Sequence, residues 1–258
     1  MGIHQSIRQM IRIRISKAKN VKRHLYRPFE MSTTNIVFYH RNLPHFHPKG
    51  GIFFITLRLA DSIPIHIVRE LKQEREIKIG MMEKTFKGNT LKTEKTILEK
   101  HLFAKFDEWL DACNRGPQWL KNERIARTVS EKIQELDGRR YRLIAYSIMP
   151  NHVHLLMNLD DYDKTDEGNL KGTTKNYPLT DSLRLLKGST ARFCNIILER
   201  SGAFWHHESY DHCVRDETEN YRIIEYILNN PVKAGLVANW KDWKYNYCIS
   251  PFEPQATT

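Results

Sequence analysis

The chain lacks what would place it in a membrane, in an oxidising compartment or among nucleotide hydrolases. No apolar run in its 258 residues approaches the roughly 18 that a membrane-spanning helix needs, which excludes helical spans. No leader of basic, apolar and small residues opens the chain, so secretion is not expected and a cytoplasmic location is. Cysteine is scarce and scattered (Cys113, Cys194, Cys213, Cys248), with no CxxC pair. That argues against a disulfide scaffold and a cysteine-rich zinc site, and fits a reducing setting. No GxxxxGK[ST] loop is present, so ATP-driven chemistry has no phosphate cradle. Acidic residues are the minority, 30 against 41 lysines and arginines, for a net charge of +11. Such an excess implies a polyanionic partner, and plentiful aromatics favour nucleic acid over a membrane surface.

The charge is uneven. Residues 1–30 carry eight basic residues against Glu30 alone, seven of the net eleven charges. This segment reads as a basic arm, disordered or solvated, ahead of one domain over residues 31–258. Met31 offers an alternative start that would leave the arm out, and the opening Met-Gly-Ile-His-Gln-Ser fits a short N-myristoylation pattern.

Ile52 to Leu59, rich in β-branched and aromatic residues after Gly50-Gly51, predicts a first strand. Ser62-Ile63-Pro64 opens a helix, and residues 65–112 predict two helices broken near Lys87-Gly88-Asn89. Gly116-Pro117 is a turn. Asn122 to Leu136 predicts a helix with Ile125, Val129, Ile133 and Leu136 on one face. Tyr141 to Ile148 and His152 to Leu159 predict strands interrupted by Met149-Pro150-Asn151. Residues 160–180 read as a polar loop. Thr180 or Asp181 would cap a helix to about Arg200, with Leu183, Leu186, Phe193 and Ile197 inward. Asp216 to Asn229 predicts a helix stopped by Asn230-Pro231, and the aromatic stretch from Trp240 to Tyr247 should lie over the core. Strands joined by long helical crossovers, with few hairpin signals, indicate a mixed α/β sandwich.

Three segments could carry chemistry. In His152-Val153-His154 the two imidazoles of a strand point to one side, where they could share a divalent metal or simply face solvent from an edge. The other side, Val153, Leu155, Met157 and Leu159, is apolar. Tyr226 and Asn230 stand i and i+4 on one helical face. They could bring a phenol nucleophile and a metal-binding amide together, or be a core-edge tyrosine and a helix stop. The loop from Ser201 to Arg215 mixes aromatics, histidines and Arg215. It could stack DNA bases or orient substrate. It could also form a zinc site of non-standard spacing from His206, His207, His212 and Cys213, or be a polar network holding the loop.

Together these segments resemble a family. Met149 to Leu156 is similar to the HUH motif (histidine, bulky hydrophobe, histidine) of single-tyrosine transposases. Ser201 to Trp205, Tyr210-Asp211-His212, Val214-Arg215-Asp216, Tyr226-Ile227 and Asn229 to Val237 resemble the REP-associated tyrosine transposases, relatives of the insertion-sequence-200 transposases. The resemblance covers about residues 40–60 and 115–245; residues 1–30 and much of the helical insertion at about 65–112 lie outside it.

The resemblance implies an α/β (α+β) fold, a ferredoxin-like antiparallel sheet with packed helices. It implies His152, His154 and Asn230 as ligands of Mg²⁺ or Mn²⁺. Asn230 stands where insertion-sequence-200 enzymes have glutamine. Tyr226 would be the nucleophile, leaving a covalent 5′-phosphotyrosine and a free 3′-OH without ATP. The implied partner is single-stranded DNA with hairpin or palindromic repeats, and the implied activity is nicking and strand transfer by a monomer or homodimer. Trp205, Tyr210 and His212 are candidates for base contacts, and Arg184, Lys187, Arg192 and Arg215 for phosphate contacts. An alternative is a catalytically inactive hairpin-binding module of the same fold, for DNA or RNA. A zinc-stabilised protein of unrelated role is a third.

Overall fold

The computed structural model describes residues 37–40, 44–47, 50–112, 116–160 and 178–249, all within the unit Val37–Thr258. The predicted basic arm and residues 161–177 of the predicted loop lie outside them. The described strands are β1 (Val37–His40), β2 (Pro44–His47), β3 (Ile52–Arg58), β4 (Arg142–Ile148), β5 (His152–Asn158), β6 (Tyr210–Cys213) and β7 (Asn246–Cys248). The described helices are α1 (Ile65–Thr85), α2 (Gly88–Asp111), α3 (Glu123–Leu136), α4 (Pro178–Ile197) and α5 (Glu217–Lys233). Strands β1 and β2 pair only with each other; the other five form one antiparallel sheet in the order β6-β3-β5-β4-β7.

Within that sheet the succession β3-α3-β4-β5-α4-β6 is a β-α-β-β-α-β unit whose strands lie fourth-first-third-second, the ferredoxin-like topology. Strand β7 extends the β4 edge, and α1–α2 is inserted between β3 and α3. The α1–α2 break falls where Lys87-Gly88-Asn89 predicted it.

The two sheet faces bury different helices. Val153, Leu155, Met157 and Leu159 join Ile125, Val129, Ile133 and Leu136 of α3 and Leu179, Leu186 and Cys194 of α4 in the main core. On the opposite face Phe54, Ile144, Ala145 and Leu156 pack under Ile227 of α5, with Phe103 of α2 at the margin. The chemistry-bearing side of β5 is this second face. A smaller cluster (Ile63, Ile67, Leu110) ties the base of α1 to the end of α2. Gly116 makes the predicted turn at φ +79°, and a Cβ there would lie 2.5 Å from Asp61 O.

Four expectations are corrected. Strands β4 and β5 form a tight hairpin closed by Met149–Asn151, with Met149 N–H donating to His152 O (2.9 Å). Its turn contains proline and no glycine, so it lacks the usual two-residue hairpin signature. Helix α4 starts at Pro178, ahead of the predicted cap. Phe193 on α4 is 55% exposed, not inward. The buried row of α4 runs Ser182, Leu186, Thr190, Cys194, an i+4 ridge inclined to the helix axis that drifts away from Phe193. Helix α5 runs through Asn230-Pro231 to Lys233. It closes one turn later, with Leu236 N–H donating to Pro231 O and Gly235 N–H to Val232 O (both 2.9 Å) and Gly235 at φ +68°. That Schellman closure satisfies the carbonyls of the last turn.

Candidate active site

Strand β5 places His152 and His154 on one face, and both side chains are fully buried. Directly opposite on β3 stand Arg58 and Thr56. Asn151 Oδ1 accepts from His152 Nδ1 (2.7 Å), since the Asn151 amide nitrogen donates to Leu110 O (3.0 Å). Thr56 Oγ1 pairs with His154 Nδ1 (2.9 Å), and the Asn230 amide nitrogen donates to His154 Nε2 (3.3 Å). These bonds assign the ring proton of each histidine to Nδ1; the two Nε2 atoms face one another at 3.1 Å, and that of His154 already accepts from Asn230.

Helix α5 delivers Tyr226, Asn230 and Lys233 at i, i+4 and i+7, hence on one side. The Tyr226 ring sits edge-on to Phe54 (6.0 Å) and to His154 (5.3 Å). Its hydroxyl donates to Asp107 Oδ2. Thus Tyr226, His152, His154 and Asn230, nearly 80 residues apart in sequence, meet in one place.

Asp107 and Asp111 of α2 complete the cluster, and sequence reasoning missed both. Asp107 Oδ1 lies 3.4 Å from His154 Nε2, and Asp111 Oδ1 lies 3.8 Å from His152 Nε2. One ligand atom from each of the four residues falls within 4.8 Å of the others. Their signal was two carboxylates at i and i+4 on the face of α2 that carries Phe103 and Leu110.

The donor set fits a divalent cation on its own geometry. Asp107 Oδ1, Asp111 Oδ1 and Asn230 Oδ1 are buried with no hydrogen-bond partner, and the two carboxylate oxygens converge with the Nε2 atoms of both histidines. Burial holds His152 neutral, pushing it down to about 3, and pushes His154 well below its ordinary range. No imidazolium is therefore available to neutralise the carboxylates. Both acids sit at the C-terminal end of α2, where the helix dipole adds negative potential. Burial, then Asp111, raises Asp107 to about 8; burial also raises Asp111, although Lys233 Nζ bonds its Oδ2 at 2.7 Å. Without a cation the cluster thus holds a proton.

The loop candidates stand elsewhere. Trp205 is 5% exposed, stacked edge-on against Phe204, and its indole N–H donates to Thr190 Oγ1 (2.8 Å). It is a core residue and presents no face to a base. Tyr210 is half-buried, its ring stacked at 3.9 Å on Phe103. His212 Nε2 lies 3.1 Å from Glu219 Oε1. The Lys187 ammonium donates to His206 O and His207 O (both 2.8 Å), tying that loop to α4. Arg184 pairs with Asp181 (3.4 Å), and Arg184, Arg192 and Arg215 are exposed. Among the described residues the Asp107, Asp111, His152, His154 cluster is the grouping that could hold a metal; the loop zinc site does not form.

No protein-family profile matches the chain. The resemblance read from the motifs is borne out by a protein of Haemophilus influenzae named "Putative REP-associated tyrosine transposase", 31% identical over 107 residues. The match takes in 41% of this chain, which spans 58% of the length of that relative. A solved structure of a REP-associated tyrosine transposase bound to a REP hairpin aligns over 81% of each chain at 16% identity, with a TM-score of 0.44.

Proposed function

We propose that this chain is a metal-dependent single-stranded DNA endonuclease and strand transferase that acts beside hairpin DNA through a Tyr226–DNA intermediate. The observation that carries the reading is the convergence of a phenol, two neutral imidazoles and two unpartnered buried carboxylate oxygens on one face of the sheet. The similarity to the Haemophilus relative supports the same class.

His152, His154 and Asn230 would hold the ion, joined by Asp107 and Asp111. The mixture of imidazole and carboxylate suits Mn²⁺ better than Mg²⁺, which prefers oxygen and water. When bound, such an ion polarises the scissile phosphate and stabilises the charge on its oxygens. Tyr226 Oη attacks phosphorus, the P–O3′ bond breaks, and Asp107 Oδ2, already accepting from the hydroxyl, takes the phenol proton. The 3′-oxygen leaves and takes a proton from water, giving a 5′-phosphotyrosine and a free 3′-OH. Attack by another 3′-OH reverses the step and joins a different strand. One phosphodiester is exchanged for another, so no nucleotide is spent. Helix α2 lies over the buried histidine pair, so strand entry requires the α1–α2 hairpin to shift.

A cleavage assay tests this: labelled hairpin DNA from repeats flanking the gene, Mg²⁺ or Mn²⁺, wild type beside Tyr226→Phe. The expected result is a metal-dependent cut with protein attached to the 5′ end, absent in the variant. Tight binding with no cut, over several flanking sequences and both metals, would replace the enzyme by the hairpin-binding module.

A further inference from the structure

Arg58 is the only buried lysine or arginine among the described residues, at 6% exposure. It ends β3 directly opposite His152, so its side chain leaves the sheet on the same face as the histidine pair. Its guanidinium has neither a hydrogen-bond nor an ion-pair partner among the described residues. Its Cζ lies over the Phe106 ring, 5.5 Å from the centroid. Asp61 and Glu208 favour its charge from a distance, while burial lowers it to about 10, still protonated at neutral pH. A mostly buried cation with no carboxylate in bonding distance is costly, and none of its nitrogens is sealed from solvent, so an anion can reach it there. The N–H fork of a guanidinium matches two oxygens of one phosphate.

We infer that Arg58 binds a backbone phosphate of the single-stranded substrate beside the scissile one, and so positions the strand over His152. This rests on the DNA-cleaving reading above. Asp107 and Asp111 neutralise a cation deep in the cluster; Arg58 supplies the positive charge that the incoming strand meets at its margin.

The test is binding without metal, so that activity does not enter. Fluorescence anisotropy in EDTA would use a 5′-labelled single-stranded DNA carrying the hairpin of the flanking repeat, with one phosphate at a time replaced by neutral methylphosphonate. Wild type should lose about tenfold in affinity at one position next to the cut. Arg58→Met should lose about as much on unmodified DNA, show no added loss at that position, and reduce the magnitude of the log–log salt slope by roughly 0.7. Arg58→Lys, which retains charge without the fork, should keep the salt slope and recover part of the affinity; it serves if the methionine variant fails to fold by circular dichroism. A folded Arg58→Met, or failing that Arg58→Lys, with wild-type affinity and an unchanged methylphosphonate penalty overturns the role of Arg58 alone. Absence of any DNA binding by wild type overturns the reading beneath it as well.

Discussion

Asp107 is the residue on which the charge state of the site turns. One of its carboxylate oxygens faces His154 and the other holds the Tyr226 hydroxyl. Its folded-state value of about 8 against 3.8 for the free side chain has a sign that can be worked out. Between those values the folded chain binds a proton that the unfolded chain has lost, so stability falls as pH rises toward 8. His152 works the other way only below its ordinary 6.5, because its folded value is depressed. From pH 6.5 to 8 the metal-free protein should therefore lose roughly 2 kcal/mol from Asp107, at 1.36 kcal/mol per proton and pH unit. Urea titrations in chelator would measure it, and Asp107→Asn should flatten the slope. An equal slope in that variant would move the titrating proton to another group. At this scale the sequence was legible where spacing alone decides direction: His152 and His154 in a strand, Tyr226 and Asn230 on a helix. It misled at Trp205, because an indole that stacks on a base and one that fills a core have the same composition and differ only in which face is covered. Asp107 and Asp111 showed their i, i+4 spacing but not their role, for a related reason. Their partners are brought by the tertiary placement of α2, which no local periodicity encodes.

At the scale of elements, α1 and α2 form a long two-helix hairpin whose base and tip are held differently. The base is packed by Ile63, Ile67 and Leu110, and is tied to the body by Asp111–Lys233 and Asn151–Leu110. Toward the tip, contacts are mostly ion pairs such as Lys95–Glu83 and Arg75–Glu99, while Ile77, Met81 and Ile97 are exposed. Exposed ion pairs contribute little, typically under about 1 kcal/mol each. Replacing residues 77–96 by a short glycine-serine turn should therefore leave the body folded, with its melting midpoint changed by only a few degrees. It should also leave Mn²⁺ binding, measured by calorimetry, intact, because the carboxylates lie at the base. Loss of Mn²⁺ binding in a chain that still melts cooperatively would show that the tip, not the base, sets the position of α2. The two helices and their break were readable from Gly88 and the apolar spacing. Their function was not, because a helix pattern gives a face but not what that face meets. The path of α5 past Pro231 shows the converse limit. Proline marked a stop, yet it removes only the N–H that would serve Ile227 O, and the helix goes on to Lys233, where the closure through Gly235 satisfies the carbonyls of Pro231 and Val232.

For the molecule as a whole, charge separates local from long-range effects. The buried cluster collects two carboxylates, whereas the chain carries +11, seven of it in residues 1–30. A polyanion is thus attracted by the chain at large while the buried cluster itself asks for a cation first. Two salt dependences follow. Affinity for single-stranded DNA should fall with salt, with a log–log slope of roughly −0.7 per phosphate contact. Deleting residues 1–30 should make that slope shallower by two or more contacts if the arm touches DNA. Mn²⁺ binding should hardly respond to salt or to the deletion, since its ligands are buried and weakly screened. Anisotropy and calorimetry over 50–300 mM salt, on the full chain and the deletion, separate the two. An unchanged slope in the deletion would take the arm out of DNA binding and place the phosphate contacts on the rest of the chain, where Arg58, Arg184, Arg192 and Arg215 are the groups to alter next.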